Sequence, residues 1–134
     1  MTYETVVPMW NALRGRFTKM ASGLQEQELK LSIGESSIES LLYHTAEVEY
    51  MFADWYLGKP MIIELPKASS LVEILEILEA SDANLKAAMK ELTEEQWHTP
   101  VESKMGASTP LEAVGRLMYH AGIHAGQIAL IRKQ

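Results

Sequence analysis

Two histidines near the C-terminal end of the chain have the spacing of a metal-binding pair. His120 and His124 are four residues apart within a stretch with helical periodicity. On an α-helix this spacing places both imidazoles on one face, with Cβ atoms about 5–6 Å apart. The two side chains can therefore bind one metal ion together, and they are the strongest indication of chemistry in this sequence.

A third histidine has a comparable position in another predicted helix. His44 lies in a helical row whose other members are apolar, Leu41, Val48 and Met51, so its side chain is expected to face the core. The row through His120 and His124 is apolar too, and it contains Ala113, Leu117, Ile128 and Ile131. Three imidazoles from two helices can then converge in the interior.

Two interpretations of these histidines remain open at this point. An inward histidine is often a core residue that hydrogen-bonds a backbone carbonyl. A buried imidazole that finds no partner lowers the stability of the fold by about 1–3 kcal/mol. A shared divalent cation would satisfy all three side chains, and three neutral histidines with one open position form a known catalytic zinc arrangement. Imidazole also suits nickel, copper and iron, so the ligand type does not identify the metal. The fourth histidine, His98, is expected in a solvated turn.

Periodicity and caps predict four helices. The first extends from about Tyr3 to Ala21 and is followed by Gly23. The second begins at Ser36, because Ser36-Ser37-Ile38-Glu39 matches a capping box, and it ends at Gly58 and Pro60.

The third and fourth helices have equally clear start signals. The third opens at Ser69 or Ser70, the latter forming a capping box with Glu73, and ends near Leu92. Thr93-Glu94-Glu95-Gln96 is expected to cap one extra helical turn. The fourth starts with Thr109 as N-cap, Pro110 and Glu112, and it continues almost to the C-terminus.

These elements predict an all-α fold, a single four-helix-bundle domain over residues 1–134. The connections are about a dozen residues long, longer than bundles usually need, so at least one is expected to cross the bundle lengthwise. The economical arrangement of the four helices is antiparallel.

Composition excludes several classes of function. The chain of 134 residues has 12 Lys and Arg against 18 Asp and Glu, a formal charge of −6, and no basic patch, so nucleic acid and anionic membranes are poor partners. Cysteine is absent, which excludes disulfides, thiolate zinc sites and cysteine nucleophiles. No stretch approaches the roughly 20 apolar residues of a membrane span, and we expect a soluble, cytoplasmic protein that acts on a small molecule.

The combined pattern resembles a known family. The stretch Ser37-Ile38-Glu39-Ser40-Leu41-Leu42-Tyr43-His44, followed by His120-xxx-His124-Ala125-Gly126-Gln127, resembles the DinB-like superfamily of metal-binding four-helix bundles, which includes the YfiT-like thiol transferases. The resemblance implies His44, His120 and His124 as ligands, a divalent metal such as zinc or nickel, and a homodimer. Some members of the family resemble transferases of a low-molecular-weight bacterial thiol, and many have no assigned reaction. The resemblance therefore implies a thiol transferase as one possible activity.

Three acids are candidates for roles beside the histidines. Glu47 is about 60° around the helix from His44, near enough to act as a base, whereas Glu49 is about 140° away but stands where relatives often have an acid. Asp82 interrupts the apolar row of the third helix and is a candidate partner for the second nitrogen of a ligand histidine. For each acid, a salt bridge is the commoner role.

The leading hypothesis is a metal-dependent enzyme that activates water or a thiol, with Glu47 or Glu49 as proton acceptor. The alternative is a non-catalytic, metal-binding protein of the stress response. Glycines and exposed apolar residues on the fourth helix also predict a homodimer that uses helix one or four.

Overall fold

The computed structural model describes all 134 residues and consists mainly of α-helices. Their bounds are α1 (Thr2–Ser22), α2 (Ile38–Leu57), α3 (Leu71–Glu91), α4 (Glu94–Trp97) and α5 (Pro110–Arg132). A 3₁₀ helix (Glu26–Lys30) and a small antiparallel hairpin of β1 (Ser32–Ile33) and β2 (Ser36–Ser37) lie between α1 and α2. The predicted all-α four-helix bundle is confirmed, and α5 is the fourth of its long helices.

Side-chain caps fix the start of most helices. At α5, the Thr109 hydroxyl accepts from the Glu112 amide at 3.0 Å, and the Glu112 carboxylate accepts from the Thr109 amide at 2.8 Å. Ser70 caps α3, and Thr93 caps the extra turn α4 as predicted. Each cap satisfies amide groups that a helix end leaves without an internal partner.

The predicted start of α2 was wrong by one residue. Ser37 is the N-cap, and its partner is Ser40 rather than Glu39. Ser36 pairs instead with Ile33 in the hairpin, so the chain enters the helix one residue later than the capping box suggested.

Helices α1 and α5 lie side by side and run in the same direction. At one end, the Thr2 amide and hydroxyl donate to the Glu94 carboxylate at 3.0 and 2.6 Å, which places the first turn of α1 beside the segment before α5. At the other end, Arg132 in the last turn of α5 donates to Glu28, just after α1, at 2.8 Å.

Helices α2 and α3 run in the opposite direction, and both begin near the 3₁₀ helix. Lys30 contacts Glu39 in the first turn of α2, and Glu26 accepts from the first amide of α3, that of Leu71. The segment 58–70 therefore crosses the bundle lengthwise, which confirms the predicted crossover. Its consequence is that α2 and α3 are parallel neighbours, so the expected antiparallel arrangement holds only between the α1/α5 pair and the α2/α3 pair.

The core has two apolar halves separated by a buried ion pair. One half surrounds Trp10 and Leu85, and the other surrounds Phe17 and Leu78. Between these positions on α1, the Arg14 side chain contacts Glu49 of α2, and both residues are about 1% exposed. None of the helices combines the length and the apolar character needed to cross a lipid bilayer.

Candidate metal centre

The two histidines of α5 face each other as their spacing predicts. The Nε2 atoms of His120 and His124 are 2.9 Å apart, and their ring centroids are separated by 4.2 Å. Pro110 and the Thr109 cap start the helix three turns earlier, and Ile128 and Ile131 anchor it to the core beyond the pair. The pair is therefore held on one packed helical segment.

His44 approaches this pair from α2. Its ring centroid is 5.2 Å from that of His120 and 5.7 Å from that of His124. Each of the three side chains offers a ring nitrogen, and the three nitrogens lie within 4.8 Å of one another. The structure thus brings together the three residues that the sequence singled out as ligands.

The cluster lies at the rim of the bundle rather than in its interior. His124 is 8% exposed, His120 is partly buried, and the side chain of His44 is 51% exposed. The expected inward position of His44 is therefore wrong. The reason is that His44 lies at the edge of the buried stripe of α2, with Leu41 and Val48 deeper in the bundle.

The donor set suits a divalent ion with little rearrangement. In a tetrahedral site with metal–nitrogen bonds of about 2.0–2.1 Å, the ligand nitrogens are roughly 3.3 Å apart. The pair on α5 is closer than this at 2.9 Å, and the full cluster spans up to 4.8 Å. Small side-chain rotations would equalise these separations, because one of the three histidines is at a solvent-facing edge.

Gln127 fixes the orientation of the most buried imidazole. Its side-chain oxygen lies 2.7 Å from Nδ1 of His124, so Nδ1 carries the ring proton and donates a hydrogen bond to that oxygen. The lone pair of His124 is then on Nε2, towards the other histidines, and in the metal-free protein Nε2–H of His120 donates to it. The sequence does not single out this role of Gln127, although the i, i+3 spacing from His124 is a usable signal.

Both histidines of α5 are biased towards the neutral form that binds metal. Burial, together with the positive charges that His124 and His44 would carry, lowers the pKa of His120 to about 4. Burial also lowers the pKa of His124, and the hydrogen bond to Gln127 opposes this effect. Near neutral pH these imidazoles are therefore uncharged, with lone pairs available to a cation.

The low pKa values predict how the stability of the metal-free protein depends on pH. Below about pH 6.5 an unfolded histidine binds a proton, whereas folded His120 binds one only near its pKa of about 4. The free energy of unfolding is therefore expected to have its full value above about pH 6.5. It should fall as the pH drops from there towards the folded pKa of about 4. Because His120 is partly exposed, we expect a loss of roughly 1 kcal/mol by about pH 5.

Urea denaturation of chelator-treated protein at a series of pH values measures this loss. In the His120→Ala variant the free energy of unfolding should change less steeply with pH, because this variant lacks the main titrating group. An equally steep change in the two proteins would show that His120 does not cause the pH dependence.

The two candidate acids of α2 have different surroundings. The Oε1 atom of Glu47 is 3.4 Å from Nδ1 of His44, and the Glu47 side chain is 44% exposed at the rim. Glu49 does not reach the histidines, because it lies about 140° around α2 from His44. Its carboxylate accepts from Arg14 at 2.7 and 3.0 Å and from Ser81 at 2.7 Å.

Asp82 also lies away from the histidines. Its carboxylate accepts from the Trp10 indole at 2.7 Å and forms an ion pair with Lys86 at 3.4 Å. Asp82 is therefore not the partner of a ligand histidine, and the role that the sequence favoured for it, an ion pair at a helix-packing edge, is confirmed. Its neighbours come from α1 and α3, whereas the histidines belong to α2 and α5.

One cation lies near the site without an acidic partner within ion-pair distance. Arg116 is one turn before His120, and its guanidinium stands over the Phe52 ring at 4.9 Å. It donates to Tyr56 at 3.1 Å, to Ser108 at 2.8 Å and to a carbonyl in the loop before α5. These contacts tie that loop to α2.

Comparison with known proteins relates this bundle to solved structures. A DinB-like protein from Bacillus cereus has a TM-score of 0.79 at 17% identity, with 98% of this chain and 91% of the other covered. The DinB-like protein YjoA from Bacillus subtilis has a TM-score of 0.78 at 18% identity, with 96% and 91% covered. At these identities the likeness concerns the fold alone. No curated protein matches the sequence. The sequence profile of the DinB superfamily, however, matches residues 9–128, and the chain therefore belongs to the DinB superfamily.

Proposed function

We propose that the protein is a metal-dependent enzyme in which His44, His120 and His124 hold a divalent cation, zinc or nickel. The cation would activate water or a low-molecular-weight thiol as the nucleophile that attacks a small-molecule substrate. The protein would then be a hydrolase or a thiol transferase. The observation that carries this proposal is the convergence of three histidine nitrogens within 4.8 Å, on two helices, at a rim open to solvent. A site that only stabilised the fold would not need that opening.

Three protein donors leave room for a further ligand on the exposed side. A divalent cation bound by three neutral imidazoles lowers the pKa of a bound water or thiol, which supplies a nucleophile near neutral pH. The protein contributes the lone pairs of His120 and His124, whose pKa values are lowered by burial. Gln127 keeps His124 in the tautomer that presents Nε2.

Glu47 is the side chain best placed to accept a proton at this site. One of its oxygens lies 3.4 Å from Nδ1 of His44, and the other has no hydrogen-bond partner within the protein. The carboxylate can thus orient His44 and receive a proton from a nucleophile that approaches from solvent. Glu49 has no such freedom, because both of its oxygens are engaged in the buried ion pair.

The non-catalytic alternative, a metal-binding protein of the stress response, has one observation in its favour. A groove of about 510 Å³ is lined by residues of α1 and α5, and none of the three histidines is among them, so this groove is not a substrate pocket at the metal site. The two functions differ in whether the bound cation has a coordination position that a thiol can enter.

The test begins with the metal content of untagged protein. The wild-type chain and a His98→Ala control should each carry close to one divalent ion, because His98 contacts only Glu94 and Thr2 at the surface. The His120→Ala variant should lose the ion. Less than about a tenth of an ion per chain in the wild type, with none taken up from added zinc or nickel, would contradict the proposed site.

The second step tests the open position. In cobalt-substituted protein, a small thiol should change the visible absorption of the cobalt, and the Glu47→Gln variant should still bind cobalt. If the protein is an enzyme, this variant should lose roughly 100-fold in thiol transfer or hydrolysis. A cobalt spectrum that no thiol or anion changes would favour the non-catalytic alternative.

A further inference from the structure

Arg116 is the one arginine of the chain that is available to a ligand near the proposed metal site. Arg14 and Arg132 each form an ion pair with a glutamate. Arg16 lies on α1, beside a groove whose lining includes none of the three histidines. Arg116 is one turn before His120, and its three hydrogen bonds all go to uncharged groups.

At least two of the five N–H donors of the Arg116 guanidinium have no partner within the protein. Nη1 donates to Tyr56 and Ser108, and Nη2 donates one hydrogen to a loop carbonyl. The hydrogen on Nε and the second hydrogen on Nη2 remain. Arg14 uses these same two nitrogens to bind the carboxylate of Glu49, at 2.7 and 3.0 Å. Arg116 thus retains the donors with which an arginine binds a carboxylate at two points.

The surroundings of Arg116 hold its guanidinium in place without neutralising it. The group stands over the Phe52 ring at 4.9 Å and over the Tyr56 ring at 5.4 Å. The nearest acid in the sequence of α5, Glu112, is one turn earlier, but its carboxylate accepts from the Thr109 amide. A guanidinium that is stacked on aromatic rings and has no counter-charge can bind an anion with little rearrangement.

Arg116 and the histidines lie along the same contact between α2 and α5. His120 faces His44, and one turn earlier on α5 Arg116 faces Phe52. The eight residues from His44 to Phe52 correspond to about 12 Å along α2. A ligand with one end on the proposed cation and the other end on Arg116 therefore spans roughly 10 Å.

The surface of α2 between these two points is apolar. Met51 and Trp55 share the helical row of His44, and both are partly exposed. Val48, on the same side of α2, is 9% exposed. This row contains no charged residue. A ligand that lies along it is therefore expected to be uncharged in its middle part.

We propose that Arg116 is a specificity-determining residue that binds a carboxylate of the substrate, roughly 10 Å from the group that meets the cation. The substrate class is then a small organic acid whose reactive group and carboxylate are separated by an uncharged chain. A planar carboxylate matches the two free donors of the guanidinium. The protein has a formal charge of −6, so it attracts an anion only where a local cation is present. The inference rests on the proposed function, because it places the other end of the substrate on the cation of the three histidines.

Cobalt-substituted protein and two matched thiols test the proposal. Mercaptooctanoate and mercaptooctanol have a terminal thiol and the same chain length, and only the first has a carboxylate, roughly 10 Å from its sulfur. The visible absorption of the cobalt reports the binding of each thiol. The wild type should bind the acid at least about 10-fold more tightly than the alcohol, because hydrogen bonds to charged groups are the stronger ones. Arg116→Gln should bind both thiols with the affinity that the wild type has for the alcohol.

Three further variants separate ligand binding from support of the loop and from overall charge. Arg116→Lys keeps the charge but lacks the planar pair of donors, so it should lose most of the preference for the acid. Arg16→Gln removes the same charge on α1 and should retain the preference. Ser108→Ala removes one contact between Arg116 and the loop, and it should retain the preference as well.

The outcomes distinguish this inference from the proposed function. A wild-type protein that binds cobalt but binds both thiols equally well would leave the metal site intact and contradict the role of Arg116. A preference for the acid that persists in Arg116→Gln, or that Arg116→Lys keeps in full, would contradict it too. Loss of the preference in Ser108→Ala would assign Arg116 to support of the loop. If the protein binds no cobalt, or if neither thiol changes its absorption, the proposed function fails and this inference fails with it.

Discussion

Replacement of Glu49 by alanine is expected to lower the free energy of unfolding by about 3–5 kcal/mol. The variant would leave the Arg14 guanidinium about 1% exposed and without its carboxylate, between the two apolar halves of the core. Arg14 would keep Thr18 and the Leu78 carbonyl as hydrogen-bond partners, but neither carries a compensating charge. Urea denaturation of the metal-free protein measures the loss.

Glu47→Ala is the matched control, because it removes the same side chain two residues earlier on α2. Glu47 is 44% exposed and contacts only His44. The free energy of unfolding of the Glu47→Ala variant should therefore differ from that of the wild type by no more than about 0.5 kcal/mol. If the proposed function is correct, Glu47→Ala loses activity although it leaves the stability nearly unchanged. Equal destabilisation by the two variants would contradict the assignment of Glu49 to the core and of Glu47 to the rim.

Saturating zinc or nickel is expected to stabilise the wild-type chain by about 4 kcal/mol when the free ion is present at roughly 1,000 times its dissociation constant. The ion would bind the folded protein, in which three histidine nitrogens lie within 4.8 Å, and the unfolded chain has no such arrangement. His120→Ala should abolish nearly all of this stabilisation, since it removes one of the two nitrogens that α5 supplies. Thermal unfolding with and without the ion provides the measurement.

Two further variants calibrate this result. His98→Ala should retain the full stabilisation, because His98 is an exposed residue that contacts Glu94 and Thr2. Gln127→Ala should reduce metal affinity by about 10–100-fold, the usual effect of removing a partner that orients a ligand. Metal-dependent stabilisation that survives in His120→Ala would mean that the ion binds elsewhere.

The sequence was most informative where interactions are local. The caps at Thr109, Ser70 and Thr93 depend on residues three positions away, and the structure confirms all three. His120 and His124 likewise depend only on the geometry of one helix. Ser36 failed as a cap because its pairing with Ile33 depends on a turn that capping preferences do not describe.

Longer-range features needed the assembled bundle. Helical spacing showed that Glu49 points away from His44, but it could not identify Arg14 and Ser81, which lie on other helices, as its partners. In the same way, the row containing His44 predicted burial, although the position of α5 beside it decides how much of the ring stays exposed. The crossover at 58–70 was suggested by its length alone, and only contacts at both ends showed that it makes α2 and α3 parallel.

The three histidines also differ in how they come together. His120 and His124 are neighbours whenever α5 is helical, whereas His44 joins them only when α2 is docked against α5. A cation on the α5 pair alone would be held by a two-point chelate, and closure by His44 would convert it to a three-point one. Metal affinity in this protein would therefore depend on the packing of α2 against α5. A substitution that loosens the contact between these helices should weaken metal binding even when all three histidines are intact.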